Sequence, residues 1–489
     1  MNQSTSLITK AWNYMKDHQE HVTADPYRLH YHLMAPVGLL NDPNGFVFFQ
    51  GRYHLFFQWN PFETNHGKKF WGHYISDDLI HWKLTTPALA PDQWYDKDGC
   101  YSGSAIVNDD KLYIFYTGNV KNKHGDRESY QCLAISKDGH HFYKEGPIIH
   151  LPDGYTPHFR DPKVFYKNNS WYMVVGAQTQ NLESAVVLYA SKDLRQWTFQ
   201  GKLAGSADFG TEGLGYMWEC PDLFELGDSD ILIISPQGLE PNGYYFNNIY
   251  QAGYLSGSVD YASVSYEHGE FNELDRGFDF YAPQTTEASD GRRLLIAWMG
   301  NAEDGETQHP TAKYDWVHAL TVPRTLEYKD GKIRQHPIEE LTKLRTSDCS
   351  HLHVTLKDEE KKLKYPYDNT FELQLSIEEW SASRFQIMFG TTTFTYDETT
   401  RTCTLERMRF DQKGIEKRHC HLSALSHIQV YKDTSSVEVF LNKGEETFSA
   451  RIFDKANEGH ITFRTEGHIA FKAHQWKLKT CVNSVDFAI

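Results

Sequence analysis

Cross-linking chemistry is scarce in this sequence. Its seven cysteines (Cys100, Cys132, Cys220, Cys349, Cys403, Cys420 and Cys481) are odd in number, scattered, and free of any CxxC pair. That pattern argues against a disulfide framework and a thiolate zinc site, and fits reduced thiols in a cytoplasm. None of the 25 histidines stands in an HExxH or comparable spacing, so neither a metal nor another cofactor is expected. Long apolar runs are missing too. The opening segment MNQSTSLITKAWNYMKDHQE has no signal-like core and no later stretch is long enough to span a bilayer, so the expected location is cytoplasmic. Basic residues are in deficit, 49 Lys and Arg against 65 Asp and Glu, for a formal net charge of −16. Such a surface repels a nucleic-acid backbone and an anionic membrane, so neither is expected as a partner, and an anionic small substrate needs a local basic pocket.

What the sequence does have is length, aromatic residues and a repeat. At 489 residues it exceeds the size at which one core stops growing, which predicts two domains. Aromatics make up 14% of the chain, a share that favours strands. One local phrase, a polar start, an apolar strand, a turn and an aromatic-rich strand, recurs five times at a period of about sixty residues. The phrases begin at Asn41 (NDPNGFVFFQGRYHLFFQWN), Ser102, Arg160, Glu219 and Ala282, with turns at Gln50-Gly51, Asn108-Asp109-Asp110, Asn168-Asn169 and Asp290-Gly291. Three hairpins are followed by a second phrase, S-x-D-x-x-x-aromatic, at Ser76 to Trp82, Ser136 to Phe142 and Ser191 to Trp197. Four strands per unit and five units predict an all-β chain: a five-bladed β-propeller over 28–335, followed by a β-sandwich over 350–489. A helical extension over 1–27 and a linker helix over 336–349, introduced by Pro337, complete the expected layout.

In a propeller the innermost strands line a central channel, so equivalent repeat positions converge on one axis. Three phrases open on or beside an acid: Asp42, Asp161 and Glu219. Each alone is weak evidence, since NDPNG reads as a turn and Arg160-Asp161 as a local ion pair. Together, at matching positions, they form a carboxylate cluster suited to glycoside hydrolysis, which needs one ionised and one protonated carboxyl. Asp42 is the expected nucleophile. Glu219, among apolar neighbours in MWECP and near a second negative charge, is expected to hold its proton and act as acid and base. Asp161 is expected to accept hydrogen bonds from sugar hydroxyls and to offset positive charge at the anomeric centre.

These motifs closely resemble glycoside hydrolase family 32, the invertases and sucrose-6-phosphate hydrolases, over nearly the whole chain. Asn41-Asp42-Pro43-Asn44-Gly45 matches the nucleophile motif, Arg160-Asp161-Pro162 the stabiliser motif, and Glu219-Cys220 the acid/base motif. The resemblance further implies that Leu40, Asn41, Pro43, Gln58, His66, Trp71, Tyr101, Ser102, Arg160 and Trp298 surround the sugar. Ser435 to Phe453 resembles the family's sandwich motif. Two departures stand out, Leu40 where many members carry an aromatic and His66 where some invertases carry a tryptophan.

The implied activity is that of a retaining β-fructofuranosidase acting on sucrose 6-phosphate and sucrose, with a small sugar as its partner. Oligomeric state is left open, a homodimer through the sandwich being one arrangement. Inverting five-bladed arabinan and xylan hydrolases, a fructosyltransferase and an inactive sugar-binding propeller are the alternatives; NDPNG and the sandwich argue against the first, and the full set of acids against the last. His66, Lys68, Lys69 and Arg127 are the basic residues expected near a phosphate.

Overall fold

Paired left-handed residues close the first hairpins of the repeat. Gln50 and Gly51 (φ 48° and 81°), Asp109 and Asp110 (48° and 54°), and Asn168 and Asn169 (51° and 60°) occupy the two-residue turns whose twist matches that of the flanking strands. The computed structural model describes residues 3–210, 213–302, 308–364, 369–454, 460–481 and 484–485. It is a five-bladed propeller joined to a β-sandwich-like sheet.

The S-x-D phrase makes the turn between the third and fourth strands of blades one to three. Asp78, Asp138 and Asp193 each accept two backbone N–H bonds with one carboxylate oxygen, at 2.8 to 3.2 Å, while the preceding serine hydroxyl accepts the aspartate's own N–H. These side chains stand in for backbone partners, which is why the phrase recurs where no ladder continues.

The innermost strands are Gly38–Phe49, Cys100–Asn108, Tyr155–Lys167, Met217–Leu226 and Tyr281–Glu287. Blade five is fastened to blade one by Trp316–Val317, which pairs in parallel with Gly38 and Leu39. Helix α1 (Gln3–Thr23) sets Ala11, Trp12, Met15 and Val22 into an apolar cluster with Trp82 and Leu84 of the outermost strand of blade one. Among the described residues no helix is long and apolar enough to cross a membrane.

Where a helix is expected over 336–349, the chain instead ends a strand at Pro337, makes a 3-10 segment over Glu339–Leu344 and opens a strand at Arg345. The reason is local. Leu341 and Leu344 face inward, and the Arg345 guanidinium grips Glu372 through two bonds of 2.7 Å, so a strand wins over further helix. Two 19-residue strands, Phe371–Phe389 and His460–Leu478, run side by side through the sandwich. The first half of Phe371–Phe389 pairs with His427–Asp433 and its second half with Thr392–Asp397, with register shifts between, so one bent strand serves both layers.

A buried polar network joins propeller and sandwich. Arg324, fully buried, donates to Asp275 and to Glu438 of the sandwich, at 3.1 and 2.5 Å. His32 lies between Asp433 (2.8 Å) and Glu438 (2.9 Å), one carboxylate at each ring nitrogen. Both nitrogens then donate, so the ring is an imidazolium: burial disfavours the charge, but the two carboxylates outweigh it and raise the pKa.

Candidate active site

The pairing register of each innermost strand breaks at a matching place, Leu40/Pro43, Tyr101/Gly103, Arg160/Lys163, Glu219/Asp222 and Tyr281/Gln284, and the strands of blades one and three carry a second break elsewhere. Side chains of a regular strand alternate between faces, so two neighbours cannot both point into the channel; a bulge lets them. Proline follows in four of the five, at Pro43, Pro162, Pro221 and Pro283, where a missing N–H costs no ladder bond. Gly103 takes that place in blade two, and a Cβ there would lie 1.9 Å from the Phe115 carbonyl oxygen.

Aligned on these residues, the repeat presents two rings. One holds Asp42, Ser102, Asp161, Cys220 and Ala282, the other Asn41, Tyr101, Arg160, Glu219 and Tyr281. This corrects the expectation that the three acids share one repeat position. Glu219 stands one residue earlier than Asp42 and Asp161, and reaches the same space because of the bulge.

Within the first ring, Ser102 Oγ donates to Asp42 Oδ2 at 2.5 Å, and Gln58 Nε2 donates to Ser102 Oγ at 2.6 Å. The Cys220 N–H donates to Asp161 Oδ2 at 3.0 Å. Cys220 Sγ lies 3.9 Å from an Asp42 oxygen and 3.7 Å from an Asp161 oxygen, so the two aspartates converge. In the second ring Glu219 is caged. Arg160 donates to its Oε1 through Nε and Nη2 (2.9 and 2.6 Å), while Tyr281 OH and Gln237 Nε2 donate to its Oε2 (2.6 and 2.9 Å). Asn41 Nδ2 donates to Asp42 Oδ1 at 3.1 Å and its oxygen accepts from Lys69 Nζ at 2.8 Å.

The cavity these rings open into measures about 320 Å³. Asn41, Asp42, Gln58, His66, Tyr101, Ser102, Arg160, Asp161, Glu219 and Trp298 all line it. Leu40, Pro43 and Trp71, expected at the sugar, do not. Leu40 is wholly buried in the blade-one core; Pro43 belongs to the bulge; Trp71 packs against Phe56 and Tyr116 and donates its indole N–H to the Tyr101 carbonyl at 3.0 Å. Of the basic residues expected near a phosphate, His66, Lys69 and Arg127 line the cavity and the exposed Lys68 does not. A cavity of about 380 Å³ around Lys163 and Asp222 holds none of the three carboxylates; there Lys163 donates to Asp222 at 2.9 Å.

Comparison with known proteins decides the lineage. Residues 32–337 match the family model for the Glycosyl hydrolases family 32 N-terminal domain and residues 340–479 that for the Glycosyl hydrolases family 32 C terminal. The chain belongs to glycoside hydrolase family 32. Among family 32 proteins it is 46% identical over 474 residues to the sucrose-6-phosphate hydrolase of Bacillus subtilis, covering 96% of this chain and 98% of that one. The solved sucrose-6-phosphate hydrolase of Lactobacillus gasseri superposes with a TM-score of 0.87 at 30% identity, over 96% and 97% of the two chains. The GH32 beta-fructofuranosidase of Bombyx mori does so with 0.85 at 33%, over 99% and 100%.

The electrostatics of this family 32 site differ from the sequence expectation. Burial alone would raise the Glu219 pKa, but the Arg160 charge and the Tyr281 and Arg160 hydrogen bonds pull it below the usual carboxylate range. Asp161 is raised instead, by burial and by the charge of Glu219, with Arg160 opposing. Asp42 is also raised, mainly by burial, with Ser102 opposing. Sequence reasoning named neither Tyr281 nor Gln237. Tyr281 was findable, since it stands two before Pro283 as Glu219 stands two before Pro221; Gln237 carries no such signal.

Proposed function

We propose that this chain hydrolyses the β-fructofuranosyl bond of sucrose 6-phosphate, and of sucrose, in the cytoplasm by double displacement with retained configuration. The observation that carries the reading is the pairing of two unlike carboxylates across one cavity: Asp42, held only by neutral donors, and Glu219, fixed by Arg160, Tyr281 and Gln237. Family membership and the activity of the sucrose-6-phosphate hydrolase relatives support the substrate class.

An Asp42 oxygen attacks the anomeric carbon of the fructosyl unit, and the bond to the glucosyl oxygen breaks as Glu219 delivers a proton to it. Ser102 and Asn41 orient the attacking carboxylate. The resulting ester is hydrolysed by a water whose proton returns to Glu219. Asp161 and Glu219 titrate together, and burial and the Glu219 charge raise the Asp161 carboxyl to about 7, so a proton is available to the pair. Sugar hydroxyls donating to Asp161 favour its charged form, which leaves that proton to Glu219. In added methanol the first-formed product is expected to be the methyl β-fructoside, whose locked anomeric configuration is read by NMR; an α product alone contradicts double displacement.

A further inference from the structure

The cations at the cavity are not equivalent. Arg160 is committed to Glu219. Lys69, only 3% exposed, donates to Asn41 and lies on the Asp42 side. His66 sets its ring edge to face on Trp298, with centroids 6.0 Å apart. His158 accepts from Arg160 Nη1 at 3.0 Å through Nδ1, which leaves its remaining proton on Nε2; burial and the Arg160 charge push its pKa down to about 4, so the ring is neutral at working pH.

Arg127 stands apart. It opens the strand Arg127–Ser136, is half-buried at the cavity wall, and lies over the Tyr101 ring with its guanidinium carbon 5.8 Å from the centroid. Among the described residues its guanidinium makes no hydrogen bond and no ion pair, although acids outnumber bases in this chain. A partly desolvated guanidinium without an anion is costly, and its five donors form a fork that matches phosphate. Its place also fits. Glu219 and Arg160 are among the charged groups that act on it, whereas Lys69 acts on Asp42. The proton donor must touch the glycosidic oxygen, so the Glu219 side is the side from which the glucosyl unit leaves.

We propose that Arg127, braced on Tyr101 and assisted by the Nε2–H of His158, binds the 6-phosphate of the leaving glucosyl unit and makes the enzyme selective for the phosphorylated disaccharide. This rests on the fructosidase reading above. The intact chain, purified, is compared on sucrose 6-phosphate and sucrose at fixed salt, as wild type, Arg127→Ala, Arg127→Lys and Lys68→Ala. Loss of a charge-assisted phosphate contact is expected to lower kcat/KM of Arg127→Ala by about 30-fold on sucrose 6-phosphate and by less than about 5-fold on sucrose. Arg127→Lys is expected to fall between, because an ammonium keeps the charge but not the fork. Lys68→Ala is expected to keep the wild-type preference. Product inhibition by glucose 6-phosphate weakens in parallel in Arg127→Ala, while inhibition by fructose holds; retained sucrose turnover reports that the variant is folded. Equal losses on both substrates, or an undiminished preference in Arg127→Ala, overturn the proposal, as does a preference lost in Lys68→Ala. A wild-type enzyme with no preference refutes the phosphosugar reading itself, and does so before any variant is made.

Discussion

Glu219 shows how one side chain's chemistry depends on partners far away in sequence. Its immediate neighbours Met217, Trp218 and Cys220 are apolar, and from them alone a proton-holding carboxyl follows. Its real partners come from three other strands: Arg160 from blade three, Gln237 from the next strand of blade four, and Tyr281 from blade five. All stabilise the anion. Removing one must therefore raise the Glu219 pKa, and Tyr281→Phe is the mildest way, since it deletes a hydroxyl and keeps the ring. The basic limb of the kcat/KM profile, where the acid loses its proton, is expected to move to higher pH in Tyr281→Phe. A limb that stays or moves to lower pH contradicts the assignment of Tyr281 as a positioning residue for Glu219.

At the scale of the strand, the bulge is what the chemistry depends on. It gives each blade two adjacent channel-facing residues, and the H-bonded chains within each ring follow from that doubling. Gly103 tests it, because blade two has no proline and its bulge relies on a residue without a Cβ. Gly103→Ala sets a Cβ against the Phe115 carbonyl and is expected to cost about 1–3 kcal/mol of stability by overpacking. Because it also moves Ser102 off Asp42, kcat is expected to fall more than tenfold while the thermal transition drops by only several degrees. Unchanged kcat would show that the blade-two bulge does not position the nucleophile.

The repeat, the hairpin turns and the three acids were all legible in the sequence, because local turn chemistry and fixed spacing report them directly. Gln50-Gly51 and Asn168-Asn169 do adopt the left-handed turn their residue types imply. The one-residue offset of Glu219 was not legible, since a bulge adds a residue without changing composition. The family resemblance implies that Leu40 and Trp71 surround the sugar, yet strand alternation turns Leu40 into the blade core and Trp71 towards blade two. Proximity in sequence to a catalytic motif says little about which face a side chain takes.

Across the whole molecule, propeller and sandwich are held by buried charges rather than by apolar surface alone. The partners sit far apart in sequence, Arg324 with Glu438 and His32 with Asp433, which hid the network from any local reading. Its pH dependence has two edges. The raised pKa of His32 gives stability that is complete below the unfolded value of 6.5 and is lost as pH rises through the folded value. Glu438, whose pKa is lowered by Arg324 and His32 despite its burial, gives stability present above 4.5 and lost as pH falls through the folded value. Arg324→Met leaves Asp275 buried without its cation and Glu438 with His32 alone, and is expected to cost about 3–5 kcal/mol. Thermal unfolding followed by calorimetry reads this as a lower transition; an unchanged transition means that the network does not hold the domains together.

If the bulged strands set Asp42 to form an ester and Glu219 to supply its proton, that ester can be trapped. Glu219→Ala is mixed with a fructosyl donor whose leaving group needs no proton, and the protein is quenched, digested and weighed by mass spectrometry. Rapid release of the leaving group and one fructosyl unit on the peptide that contains Asp42 are expected, with no label in Asp42→Ala carrying the same Glu219 change. A label on any other residue, or one that persists without Asp42, contradicts this role of Asp42.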